Sequence, residues 1–145
     1  MSDATPKAVK VLLVDDEADF LQPVSFWLRA KHYDVRTASN GEEALERVKQ
    51  ELPDIIFLDI NMPKMNGIET LRNIRAEHKL LPVIMVTASY QNEVYFRDAN
   101  ALGISGFFPK SSSLSELANI IDISLRAHAK LKNAQNGQQS DIMER

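Results

Sequence analysis

Cysteine is absent from all 145 residues, which removes thiol catalysis, cysteine-ligated zinc and disulfide scaffolds from consideration. Long hydrophobic runs are missing too. The first apolar stretch, Val11-Leu12-Leu13-Val14, follows a polar start and is far too short for a signal peptide or a membrane span. The sequence therefore predicts a soluble cytoplasmic protein with no membrane partner. Charge of one sign is lacking as well: 17 Lys and Arg stand against 20 Asp and Glu, leaving no electrostatic footprint for nucleic acid. The three histidines, His32, His78 and His128, lie far apart without ligand spacing and read as surface or packing residues. One domain remains the default, since a chain of this length buries a core without staples.

What the chain does contain is apolar runs that stop abruptly at polar residues. The central one is Ile55-Ile56-Phe57-Leu58, ended by Asp59 and bounded by Pro53 and Pro63. A β-branched and aromatic run of this kind is a strand buried on both faces. Taken alone, Asp59 is either a solvated loop acid or a reactive group on a rigid platform. Val9 to Val14 is a similar strand ending in Asp15-Asp16-Glu17, Tyr33 to Ala38 is a short one with Val35 inward, Val83 to Val86 stops at Thr87, and Gly106 to Lys110 is the fifth.

Between the strands, apolar residues recur at helical spacing. Phe20, Val24, Trp27 and Leu28 mark a helix from about Ala18 to Lys31, with Pro23 near its beginning and Trp27 expected in the core. Ser39 and Glu42 stand at capping-box spacing before Ala44, Leu45 and Val48, and Ser113 and Glu116 do so before Leu114, Leu117, Ile121 and Leu125. Gly67 opens a helix carrying Ile68, Leu71 and Ile74, and a polar helix from about Asn92 to Leu102 ends at Gly103, a left-handed cap. Five strands alternating with five helices predict a doubly wound α/β fold around a parallel sheet.

In such a sheet all strand C-termini share one edge, so Asp15, Asp16, Asp59, Thr87 and Lys110 converge on one rim. Clustered carboxylates repel one another and are tolerated mainly around a cation. Hard oxygen ligands at an open rim point to Mg²⁺. A metal among carboxylates, faced by a lysine and a hydroxyl, is a receptacle for a phosphoryl group. Asp59, alone on the central strand, is the best nucleophile, whereas the adjacent Asp15 and Asp16 suit ion binding.

These residues together resemble the receiver domain of two-component response regulators. The likeness covers roughly 10–129, leaving 1–9 as an N-terminal extension and 130–145 as a polar tail; the Asp59-x-x-Met62-Pro63 and Gly67 spacing and the small Ala88 after Thr87 also fit. The resemblance implies the flavodoxin-like, chemotaxis-regulator strand order 2-1-3-4-5. It implies that Asp16, Asp59 and the Asn61 carbonyl ligate Mg²⁺, with Asp15 acting through water, and that Asp59 accepts a phosphoryl group. The donor it implies is a phosphohistidine on a sensor histidine kinase or histidine phosphotransfer protein. Lys110 would pair with the phosphoryl oxygens and Thr87 would swing toward them. Phe107 would turn into the space left, reshaping the face of the fourth helix, fifth strand and fifth helix for an unknown output protein, with a homodimer possible. Asn61 and Ser89 flank the expected water path and would tune phosphoryl lifetime. Pro109 precedes Lys110 and Ser111 follows it, so no cis bond is expected at Lys110-Ser111. A Mg²⁺-dependent aspartyl-phosphate hydrolase is the enzyme alternative. That class carries a second Asp two residues past the nucleophile, where this chain has Asn61. A phosphate-independent interaction module is the third reading, and the complete acidic set gives no reason to prefer it.

Overall fold

The computed structural model describes residues 7–88 and 93–144, and the side chains of 7–88 and 94–135. The elements run β1 (Lys10–Val14), α1 (Ala18–Ala30), β2 (Asp34–Ala38), α2 (Gly41–Gln50), β3 (Ile55–Asp59), α3 (Gly67–Glu77), β4 (Val83–Thr87), α4 (Glu93–Leu102), β5 (Gly106–Pro109) and α5 (Leu114–Glu144). The strands are all parallel, in the order β2-β1-β3-β4-β5. That is the doubly wound, flavodoxin-like order expected.

Strand alternation sorts the core into two layers. Leu12, Val14, Ile56, Leu58, Val83 and Met85 face α2, α3 and α4. Val11, Leu13, Ile55, Phe57, Ile84 and Val86 face α1 and α5. Every residue of β3 and of β4 is buried, as a strand covered on both faces requires. The chain leaves β1 and β3 in opposite directions, since β1 continues outward to β2 and β3 to β4. The crevice of the fold therefore opens above their C-terminal ends.

Helix starts obey the capping rules with one shift. The Ser39–Glu42 box is corrected to its neighbours: Asn40 caps α2, its Oδ1 accepting from Glu43 N at 2.8 Å, while the Glu43 carboxylate accepts from Ser39 N and Oγ. Both pairs have cap chemistry, and the extended backbone at Asn40 decides between them. The Ser113–Glu116 pair forms as expected, Glu116 N donating to Ser113 Oγ at 3.2 Å. Asn66 caps α3 in the same way through Glu69 N. Gly103 ends α4 at φ 92, where its N–H reaches the Ala99 carbonyl. Trp27 differs from its core assignment: it lies half-buried at the margin of the layer, with the Lys31 ammonium 5.6 Å from its ring. The exposed Pro23 falls within α1, where the helix forgoes one backbone bond. No peptide bond among the described residues is cis, Lys110–Ser111 included.

Candidate functional site

Asp15 follows β1 and is fully buried, at 0% exposure, and Asp59 ends the neighbouring β3 at 2%. Two buried carboxylates side by side need a counter-charge, because burial removes the water that would hold each one ionised. Lys110 supplies it from just past β5. Its Nζ lies 2.8 Å from Asp15 Oδ2, 2.9 Å from Glu17 Oε1 and 3.6 Å from Asp59 Oδ2. The Phe20 ring, 5.3 Å from the ammonium, forms an apolar wall beside it.

Backbone bonds fix these groups. Lys110 N donates to the Thr87 carbonyl at 2.8 Å, tying the lysine to the end of β4, and Ile60 N donates to Val86 O at 3.1 Å, tying Asp59 to the same strand. Glu17 N donates to Asp15 Oδ1 at 2.9 Å, so the first turn of α1 begins at the site itself. Gly67 N donates to Ile60 O, and a Cβ at Gly67 would overlap the Asp59 carbonyl. The α3 N-terminus thus presses on the end of β3 at a spot that admits no side chain. In the intervening loop Lys64 takes a left-handed φ of 66, which costs a non-glycine residue about 1 kcal/mol.

Electrostatics follow from that packing. Burial pushes the Asp59 carboxyl up from 3.8 to about 7; the Asp15 charge adds to the rise, and Lys110 and the Asn61 N–H, 3.4 Å from Oδ1, oppose it. For Lys110, burial works against the charge. Its contacts with Asp15 and Glu17 and the nearby Asp59 outweigh that and hold its pKa above the usual lysine value.

Carboxylate oxygens of Asp15, Asp16, Glu17 and Asp59 all lie within 4.8 Å of one another. Buried Asp15 Oδ2 forms an ion pair with the Lys110 ammonium 2.8 Å away and has no further partner among the described residues. A buried anionic oxygen short of partners, in an all-oxygen set open on the Asp16 side, fits a hard divalent cation.

The structure brings Asp15, Asp16, Asp59 and Lys110 together, and places Thr87 at the same rim, buried at 2%. Phe107 pairs in register with Met85 and Pro109 with Thr87, so Phe107 and Thr87 project on the same face of the sheet. The Phe107 ring meets Phe96 of α4 edge-on, with centroids 4.4 Å apart. Asn61 is exposed beside Asp59, and Ser89 lies outside the described residues. Glu17 was not among the site residues read from sequence. Its only signal was its place as third acid of the run after β1, and only the fold shows that Lys110 reaches it.

The response regulator receiver domain model matches residues 11–122. The chain belongs to that family. Receiver domains of two-component response regulators are phosphoryl-accepting signalling switches, and this domain is one of them. Among curated proteins, the alkaline phosphatase synthesis transcriptional regulatory protein PhoP of Bacillus subtilis is 43% identical over 79 residues, 54% of this chain. The chain spans only 33% of that relative's length. Among solved structures, the chemotaxis protein CheY4 of Vibrio cholerae superposes with a TM-score of 0.75 at 31% identity, covering 81% of this chain and 98% of that one. The receiver domain of NtrX from Brucella abortus gives 0.74 at 28% identity, covering 80% and 98%. No helix among the described residues is long and apolar enough to cross a membrane.

Proposed function

We propose that Asp59 is the phospho-acceptor of this receiver domain, and that the donor is a phosphohistidine on a sensor histidine kinase or a histidine phosphotransfer protein in the cytoplasm. The observation that carries this reading is a carboxylate, 2% exposed at the end of β3, facing an ammonium 3.6 Å away across an acidic cluster. An Asp59 oxygen attacks phosphorus, the phosphorus–nitrogen bond breaks, and the imidazole leaves with its electron pair. Lys110 shifts from the carboxylates toward the phosphoryl oxygens and neutralises charge there. Attack requires ionised Asp59, which burial opposes, so a cation in the cluster favours the reactive form.

Asp16, Asp59 and the Asn61 carbonyl would hold Mg²⁺, with Asp15 acting through water. Bound there, the ion supplies positive charge to the transferred group. Hydrolysis of the acyl phosphate by water entering beside the exposed Asn61 returns the domain to its resting state, so the chain assists its own dephosphorylation without being a turnover enzyme.

Thr87 and Phe107 form the switch. The Thr87 hydroxyl moves toward the phosphoryl group, and the Phe107 ring follows it inward along the face they share. That motion breaks the edge contact with Phe96 and alters the surface of α4, β5 and α5 that an output protein reads.

Acetyl phosphate or a phosphodonor kinase with Mg²⁺ is expected to label the wild type and leave Asp59→Ala unlabelled. An unlabelled wild type, or equal labelling of the variant, overturns the assignment. Beryllofluoride is expected to move NMR resonances around Phe107; unchanged resonances there would make the domain a phosphate store or relay instead of a switch.

A further inference from the structure

A groove runs between α1 and β2, the strand at one edge of the sheet. Its volume is about 680 Å³, and Leu21, Ser25, Phe26, Arg29 and Ala30 of α1 line it together with Thr37 of β2. That size, with apolar walls and few polar groups, suits a small organic molecule. Two observations specify which. The first is a lone positive charge: Arg29 Nη2 donates to the Val35 carbonyl at 2.9 Å, and its other donors have no protein partner among the described residues. No acid lines the groove beside it, and Asp34 at the start of β2 pairs instead with Arg36 at 3.6 Å. The second is a buried hydroxyl. Ser25 is 4% exposed and its Oγ has no partner among the described residues, although a helical serine commonly bonds the carbonyl four residues back. Ser25 and Arg29 stand one turn apart, so their side chains are neighbours.

We propose that this groove binds a small organic monocarboxylate whose apolar body is about the size of a phenyl ring. The carboxylate pairs with the Arg29 guanidinium, whose planar fork matches it, and accepts from Ser25 Oγ. One cation balances one negative charge, whereas a phosphate dianion would ask for a second. The apolar body lies along Leu21 and Ala30 and takes the Phe26 ring, 78% exposed in the free protein, as its cover. Thr37 shares the α1 face of β2 with Val35 and forms the opposite wall. None of these residues belongs to the acidic cluster at the rim, so nothing in this binding depends on phosphoryl chemistry.

Titration of the full chain with phenylacetate, followed by amide NMR shifts, is expected to saturate with a Kd of about 1 mM, ordinary for a ligand of about ten heavy atoms. Shifts should centre on Ser25, Phe26, Arg29 and Thr37. Phenylacetamide has the same shape without the charge and should bind roughly tenfold more weakly, with phenethylamine no better than the amide. Phe26→Ala should weaken phenylacetate severalfold and leave thermal stability unchanged, because the ring is exposed in the free protein. Arg29→Lys keeps the charge without the fork, so its affinity should fall between those of wild type and Arg29→Met. Failure to saturate well above that concentration, equal binding of the amide, or unchanged affinity in both Phe26→Ala and Arg29→Met overturns the proposal. It is also overturned if phenylacetate moves nothing in the groove while an uncharged extended peptide protects the β2 amides from exchange, since the groove would then belong to an added strand.

Discussion

Two clusters of charge sit at opposite ends of the same parallel strands, and they differ in one physical respect. At the N-terminal edge, Lys10 and Arg36 meet Glu51 at 3.3 and 3.7 Å, with side chains 40 to 55% exposed. At the C-terminal rim, Lys110 meets Asp15 and Asp59 at 2.8 and 3.6 Å, with the carboxylates almost wholly buried. The residue types match and the distances are similar. Water screens the first cluster, so its pairs contribute little to stability, whereas the second pays for desolvation with every charge it holds. Burial, more than charge, is what makes the rim chemically usable.

The largest way to break that contrast is to remove the rim's counter-charge. Lys110→Met keeps the stem and deletes the ammonium, leaving two buried carboxylates facing each other. Urea unfolding at pH 8 is expected to show a loss of about 3–5 kcal/mol. At pH 5, where Asp59 carries a proton, the loss should shrink. A change under about 1 kcal/mol at pH 8 would mean that the lysine is as well screened as the exposed pairs.

Next in size is the pH profile of the metal-free protein. Asp59 titrates near 7 folded and near 3.8 unfolded, so between those values the folded state binds the extra proton. The contribution of Asp59 to stability is therefore greatest below about pH 4, falls as pH rises toward 7 and levels off above it, by a few kcal/mol in all. Asp59→Asn should flatten this slope and leave the variant more stable than wild type at pH 8. Mg²⁺ should stabilise the wild type at pH 8 and the variant much less. A difference between wild type and Asp59→Asn that stays constant from pH 4 to 8 would contradict the buried, raised carboxyl.

The buried strands were legible because β1, β3 and β4 are almost continuously apolar, and a run of that kind has few other homes. Convergence of Asp15, Asp16, Asp59, Thr87 and Lys110 followed from topology, since a parallel sheet sends every C-terminus to one rim. What escaped was set by short-range choice or long-range closure. Ser39 and Asn40 are both cap residues followed by glutamates three positions on, and only the backbone at Asn40 selects the second pair. Glu17 stands in the sequence only as the third acid of a run, and Lys110, 93 positions away, reaches it only in the fold. Residues from Lys130 onward carry no clear amphipathic period, so periodicity gave no helix signal there. Good helix formers such as Lys, Gln and Ala suffice there to extend α5.

Geometry at the rim can be tested without touching a charge. Gly67→Ala places a methyl group on the Asp59 carbonyl, so α3 must retreat from β3, at an expected cost of about 1–3 kcal/mol. Phosphoryl uptake should fall with it, because the backbone that carries Asp59 is what moves. Normal uptake with normal stability would show that the strand end tolerates displacement.

The smallest effect belongs to the other end of the strands. Glu51→Gln removes the carboxylate shared by Lys10 and Arg36 while keeping its size, and solvent replaces what is lost. Unfolding should change by less than about 1 kcal/mol, and the change should vanish in high salt, where exposed pairs are screened. Phosphoryl uptake at Asp59 should stay at the wild-type level. A loss as large as that of Lys110→Met would show that charge alone, at either end of the sheet, carries the stability that burial is argued to control.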